Sequence, residues 1–211
     1  MSGPRRIGVF GGAFDPPHLA HVALLCAAID QLALDEVRVL PTGQAWHKAR
    51  ALTTAAHRLA MARLAFAGLP QVQVDEPEIR RPGPSYTIDT LQELVAECPG
   101  AQFFLLIGED QRRALASWHR IGEIGQLAII CAAARPADVA PWNAVQAPAQ
   151  APESLLAGIL PLQMPLMPVS ATDIRQRLSH QQPVSGLVPA AVERYIHEHH
   201  LYGPEPRKPL R

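Results

Sequence analysis

The chain has 211 residues, 48% of them hydrophobic and 18% charged, with 19 basic side chains against 19 acidic ones. Its length suits one domain at about 100–200 residues each, its apolar share suffices for a core, and its cancelled charge excludes both a solvated disordered polymer and a protein that coats nucleic acid by bulk electrostatics. The longest apolar stretch, Leu127 to Ala134, is far below the roughly 20 residues that cross a bilayer; with no signal-peptide run and no CxxC pair among Cys26, Cys98 and Cys131, a cytoplasmic protein with reduced thiols is expected.

Arg6 to Phe10 is a short β-type run that stops at Gly11-Gly12, and apolar residues then recur at helical spacing from His18 to Leu34. Glu36 to Leu40 alternates around Val37 and Val39 before Pro41-Thr42-Gly43, which makes a βαβ unit and favours a parallel sheet with right-handed crossovers. A helix from about Thr54 to Phe66 follows, then a strand at Val72 to Val74, a Pro-rich loop, and a helix from about Thr87 to Glu97. Phe103 to Ile107 and Leu127 to Cys131 are continuous apolar runs, as central parallel strands covered on both faces require. The alternation predicts a doubly wound α/β fold with helices on both faces of a parallel sheet and its ligand beyond the carboxyl ends of the strands.

Residues 135–161 are Ala- and Pro-rich and predict a surface excursion to which no chemistry is assigned. Leu162 to Val169, broken by Pro165 and Pro168, can be at most a short or edge strand. Short helices at Thr172 to Ser179 and Pro189 to His200 complete the chain, which reads as one domain over residues 1–211, with the helical part at 170–203 finishing its site.

Three segments carry chemistry. The first, GGAFDPPHLAH from Gly11 to His21, lies between strand and helix, where glycines admit a close ligand and the helix dipole favours an anion. It contains neither GxxxxGK[ST] nor GxGxxG. His18 and His21, three apart, share one face and can donate to phosphate oxygens; by spacing alone they can equally be ordinary helix-start histidines, or a metal pair with Asp15. The second, VSATDIR from Val169 to Arg175, reads as a capping box at Ser170 and Asp173, with Arg175 one turn on to make a second anion pocket beside Ser170 and Thr172. Two such helix openings suit a triphosphate.

The third, GPSYTIDTL from Gly83 to Leu91, is a loop entering a helix capped by a Ser or Thr, where N–H groups could hold a small carboxylate. Ile107-Gly108-Glu109-Asp110 puts carboxylates at a strand end suited to a ribose hydroxyl, and Trp118-His119 is expected on the next short helix, where the indole stacks on a planar ring or fills core.

Together these segments resemble the nicotinate-nucleotide adenylyltransferases, nucleotidyltransferases marked by GG[T/S]F[D/N]PxHxGH and ISSTxIR motifs, over nearly the whole chain. PSYTIDTL is similar to their PSYTxDTL signature, IGEDQRRALASWHRIGEI to their I-G-x-D…W pattern, and His47-Lys48 to their P-H-K substrate loop. The resemblance implies a Rossmann-like fold and catalytic roles for His18, His21 and Arg175. It implies ATP contacts from Gly11, Gly12, Ala13, Phe14, Gly108, Asp110, Ser170 and Thr172. Nicotinate mononucleotide would meet His47, Lys48, Ser85, Tyr86, Thr87 and Trp118. Ala13, Ala20 and Ala171 depart from the family's Thr/Ser, Gly and Ser. The implied reaction joins ATP and nicotinate mononucleotide, with Mg²⁺ carried on the nucleotide and no fixed protein ligand for it, in a monomer or small homo-oligomer that uses no nucleic acid or membrane. Adenylylation of nicotinamide mononucleotide or phosphopantetheine, or a silent ATP sensor, are the alternatives.

Overall fold

The computed structural model describes residues 3–43, 52–134, 158–165 and 167–203. Its strands are β1 (Arg6–Gly12), β2 (Glu36–Pro41), β3 (Val72–Val74), β4 (Gln102–Ile107), β5 (Ile129–Ala134) and β6 (Leu160–Gln163). They form one parallel sheet in the order β3-β2-β1-β4-β5-β6. The chain winds outward from β1 to β3 and then returns to lay β4 beside β1. This is the Rossmann-like, doubly wound arrangement, and the reversal leaves a crevice at the carboxyl ends of β1 and β4.

The described helices are α1 (Leu19–Leu32), α2 (Ala55–Phe66), α3 (Pro77–Arg80), α4 (Thr87–Glu97), α5 (Glu109–Ala114), α6 (Ile121–Leu127), α7 (Ala171–Ser179) and α8 (Ala190–Glu198). Side-chain alternation sorts them into two layers. Phe10, Phe104 and Leu106 point to the face covered by Leu25 of α1, Met61 of α2, Ile174 of α7 and Val192 of α8. Ile7, Val9, Phe103, Leu105 and Ile107 point to the other, under Ile88 and Leu91 of α4 and Ile124 of α6. β4 is therefore apolar at consecutive positions because both its faces are buried.

Several boundaries differ from the sequence reading. β1 does not stop before the glycine pair: Gly11 and Gly12 stay in register with Leu40 and Pro41, so the strand carries the loop's first residues into the crevice. The apolar run from Leu127 is split, since Leu127 ends α6 and β5 starts at Ile129. α3 and α6 are too short to show a helical period, and α3 lies inside the expected Pro-rich loop. The edge strand ends at Gln163, ahead of Pro165, and Gln31 of α1 meets Gln163 by two hydrogen bonds, at 2.7 and 2.9 Å. Positions 135–157 of the excursion lie outside the described residues.

Both carboxyl-terminal helices finish alike. After α7, Gln181 (φ 57°) takes the left-handed conformation and Gln182 N–H returns to the Arg177 carbonyl at 2.9 Å. After α8, His200 (φ 49°) does the same and Leu201 N–H returns to Ile196 at 3.0 Å. These are Schellman closures that reverse the chain. The second delivers Leu201 and Tyr202 onto the first core layer. Cys26, Cys98 and Cys131 are free thiols; burial pushes Cys131 up to about 12, which leaves it unreactive. Among the described residues no helix is long and apolar enough to cross a membrane.

Candidate active site

The glycine loop leaves β1 at the crevice and turns sharply. Phe14 (φ 48°) is buried in the left-handed region, the Asp15–Pro16 peptide is cis, and His18 is the extended N-cap of α1. A Cβ at Gly12 would lie 3.1 Å from the Phe14 ring, so the pair folds tightly over itself. Phe14 packs edge-on against Phe10, His21 and Phe66, which fixes the turn from beneath.

The two histidines come together as their spacing predicts. Their rings stack with centroids 3.7 Å apart. The His18 backbone N–H donates to His21 Nδ1 at 3.1 Å, so the neutral His21 ring carries its proton on Nε2. The α1 opening offers fewer amides than expected, because Leu19 N–H donates to the Leu187 carbonyl and His21 N–H to the His18 carbonyl, both at 2.9 Å.

His18 is 8% exposed and its Nδ1 has no hydrogen-bond partner among the described residues. Burial pushes its pKa from 6.5 down to about 4, so the ring is neutral at pH 7. The folded form then binds fewer protons than the unfolded form between these values. Stability is expected to fall as pH drops from 6.5 towards about 4. Urea midpoints across that range should decline for the native chain and decline less for His18→Asn.

The VSATDIR segment reaches this loop from the far end of the sequence. Arg175 Nη1 donates to the Asp15 carbonyl at 2.8 Å and Nη2 to Thr172 Oγ1 at 3.0 Å. Ser170 caps α7, its Oγ accepting from Asp173 N–H at 3.1 Å, which leaves Thr172 as the hydroxyl beside Arg175. Across the crevice, Gly108 is the N-cap of α5 and Asp110 stands exposed on its first turn at the end of β4, while Glu109 is paired with Arg112 and Arg113.

The PSYT loop is built differently from the sequence reading. Tyr86 is the N-cap of α4 and no side chain caps the helix. Ser85 Oγ instead donates to the Glu78 carbonyl at 3.5 Å. Glu78 is buried and accepts from Thr90 Oγ1 at 3.0 Å, and its pKa is raised chiefly by that burial. A Cβ on Gly43 would sit 2.0 Å from the Glu78 carbonyl oxygen, so only glycine lets the end of β2 pass this close to α3. Trp118 is not on a helix; it follows the 3₁₀ turn Leu115–Ser117 in extended conformation, half-buried with Tyr86 on the second core layer. The His119 ring lies 4.5 Å from that of Tyr86. His47 and Lys48 lie outside the described residues.

Two supporting side chains carry no sequence signal. Arg58, on α2, is 1% exposed and donates to the carbonyls of Thr53, Ala13 and Gly43 at 2.9, 3.0 and 3.1 Å. Tyr202 donates its hydroxyl to Asp15 Oδ1 at 2.6 Å. Asp15, 2% exposed, is thereby engaged inside the protein.

The cytidylyltransferase-like family matches residues 9–177. A protein of Albidiferax ferrireducens is 54% identical over 198 residues, covering 94% of this chain and 98% of its own length. One of Methylibium petroleiphilum is 42% identical over 212 residues, with 95% and 93% covered. Each carries the name "Probable nicotinate-nucleotide adenylyltransferase". Among solved structures, Plasmodium falciparum nicotinic acid mononucleotide adenylyltransferase complexed with NaAD is similar in fold, with a TM-score of 0.70 at 17% identity over 94% of this chain and 97% of that one. With its sheet order, its paired histidines and these relatives, the chain belongs to the nicotinate-nucleotide adenylyltransferases within the cytidylyltransferase-like family.

Proposed function

We propose that this chain joins ATP to nicotinate mononucleotide, giving nicotinate adenine dinucleotide and pyrophosphate. The observation that carries the reading is Arg175, brought from the carboxyl-terminal segment to 2.8 Å from the loop carbonyl three residues before His18. In this reading the cation, the imidazoles and the α7 opening act on one ligand, a donor set that suits a polyphosphate. In the reaction a 5′-phosphate oxygen of the mononucleotide attacks the α phosphorus of ATP, and the bond to the pyrophosphate oxygen breaks. The attacking oxygen is already anionic, so no strong base is required and catalysis rests on positioning and charge stabilisation.

His21, with its proton on Nε2, donates to a phosphoryl oxygen, and neutral His18 stands beside it. Arg175 and Thr172, with the cap at Ser170, hold the β and γ phosphates. Gly11 to Phe14 shape the cradle, and Gly108 and Asp110 receive the adenosine ribose. Ser85, Tyr86 and Thr87 at the α4 opening, with Trp118, His47 and Lys48, take the nicotinate nucleotide. Mg²⁺ enters on the triphosphate as part of the substrate. The reading carries with it a cytoplasmic enzyme, monomeric or a small homo-oligomer.

The test is pyrophosphate release from the pure protein given ATP, Mg²⁺ and each mononucleotide in turn. Nicotinate mononucleotide is expected to exceed the nicotinamide form in kcat/KM by about 10²-fold or more, because amides gathered for an anion lose their partner with the neutral amide. Equal values would remove the carboxylate pocket from the α4 opening. ATP binding without pyrophosphate from any mononucleotide would identify a silent nucleotide sensor instead.

A further inference from the structure

We propose that Tyr202 is a positioning residue for adenylyl transfer, its hydroxyl fixing the Asp15 carboxylate and through it the loop that presents the two imidazoles; the proposal rests on the function assigned above. Tyr202 lies outside every motif that points to the site, 187 positions from its partner. Its hydroxyl meets Asp15 Oδ1 at 2.6 Å, and Thr53 N–H approaches Oδ2 at 3.4 Å. Arg175 holds the carbonyl of the same residue at 2.8 Å. Asp15 is thus gripped at both its main chain and its side chain by the carboxyl-terminal segment.

The backbone at both ends of this link is held out of its relaxed state. Phe14, next to Asp15, and Tyr202 itself are non-glycine residues with φ of 48° and 61°. Such conformations persist where surrounding contacts over-determine them. Phe14 is buried among aromatic rings, and Tyr202 packs on the first core layer with its hydroxyl 4.0 Å from Met61 Sδ. Burial and the neighbouring carboxylate both raise the Tyr202 pKa, so the hydroxyl remains a donor at any pH the enzyme meets. A displaced Asp15 would shift His18, three residues on, and a shift of about 1 Å can lower a rate by about 10².

The test is Tyr202→Phe, which keeps the ring and removes only the hydroxyl, assayed well below the melting temperature. The expected result is kcat lowered by about 10-fold or more with KM for nicotinate mononucleotide unchanged, since the α4 opening is untouched. Tyr195→Phe is the control: it removes a comparable hydrogen bond, 2.9 Å to His57 Nδ1, from the same carboxyl-terminal segment, and should leave kcat as it was. Asp15→Ala combined with Tyr202→Phe should be no slower than Asp15→Ala alone, because either change removes the same link. Wild-type kcat in Tyr202→Phe, an equal loss in Tyr195→Phe, or multiplying effects in the double variant would overturn the proposal. Wild-type turnover is measured first. If it yields no pyrophosphate, the assigned reaction fails and the link is read by calorimetry with ATP alone: affinity reduced by about 10-fold in Tyr202→Phe supports the link, and unchanged affinity overturns it.

Discussion

His18→Ala is expected to lower kcat by about 10²–10³ while the protein stays folded, the cost of removing one preorganised group from a site where charge develops. The imidazole is stacked on His21 at 3.7 Å and held neutral by burial, so it acts without having to lose a proton first. Its Nδ1 has no hydrogen-bond partner among the described residues, and truncation therefore removes no hydrogen bond made by that nitrogen. The loss should appear in kcat rather than in the KM for nicotinate mononucleotide, whose pocket is proposed at α4. Steady-state kinetics with Mg·ATP decide it: an unchanged kcat would remove His18 from the chemistry and leave it as a packing residue of the loop.

Arg58→Met is expected to destabilise the fold by about 3–5 kcal/mol, a large share of a typical domain's stability. Methionine replaces the volume, but three carbonyls, of Thr53, Ala13 and Gly43, lose their donor together. Each buried unpaired acceptor costs about 1–3 kcal/mol. Arg58→Lys should fall between, because a single ammonium retains the charge without the planar fork that reaches three separate acceptors. Urea unfolding of the three proteins measures this ordering; a Met variant within about 1 kcal/mol of the native chain would mean that water takes over the carbonyls. Activity should decline with stability, since two of the three acceptors flank the crevice.

The contrast between these residues shows how far the sequence could be read. β1, α1 and β4 announce themselves through period and glycine placement, and the meeting of Arg175 with the loop agrees with reading the two segments as halves of one proposed anion site. Arg58 could not be found that way. Its helix has arginine at a position that one-dimensional patterning assigns to solvent, and only the convergence of three chain segments at residues 13, 43 and 53 makes its burial favourable. Tyr202 escaped for the same reason, as a turn that follows a short helix gives no hint of what it touches. The α4 cap was misread because a Ser and a Thr flank Tyr86, and the neighbouring α3 carbonyl, invisible to local pattern, draws the serine away. Short α3 and α6 never complete the two turns from which a period can be recognised.

The grip on Asp15 also orders events in time. Its partners are encoded 160 and 187 positions downstream, so a ribosome that has delivered the glycine loop must add that many more residues before the loop acquires its shape. At translation rates of roughly 5–20 residues per second that interval is on the order of ten to forty seconds. Throughout it the nascent polypeptide carries the first strand and its histidines without the clamp.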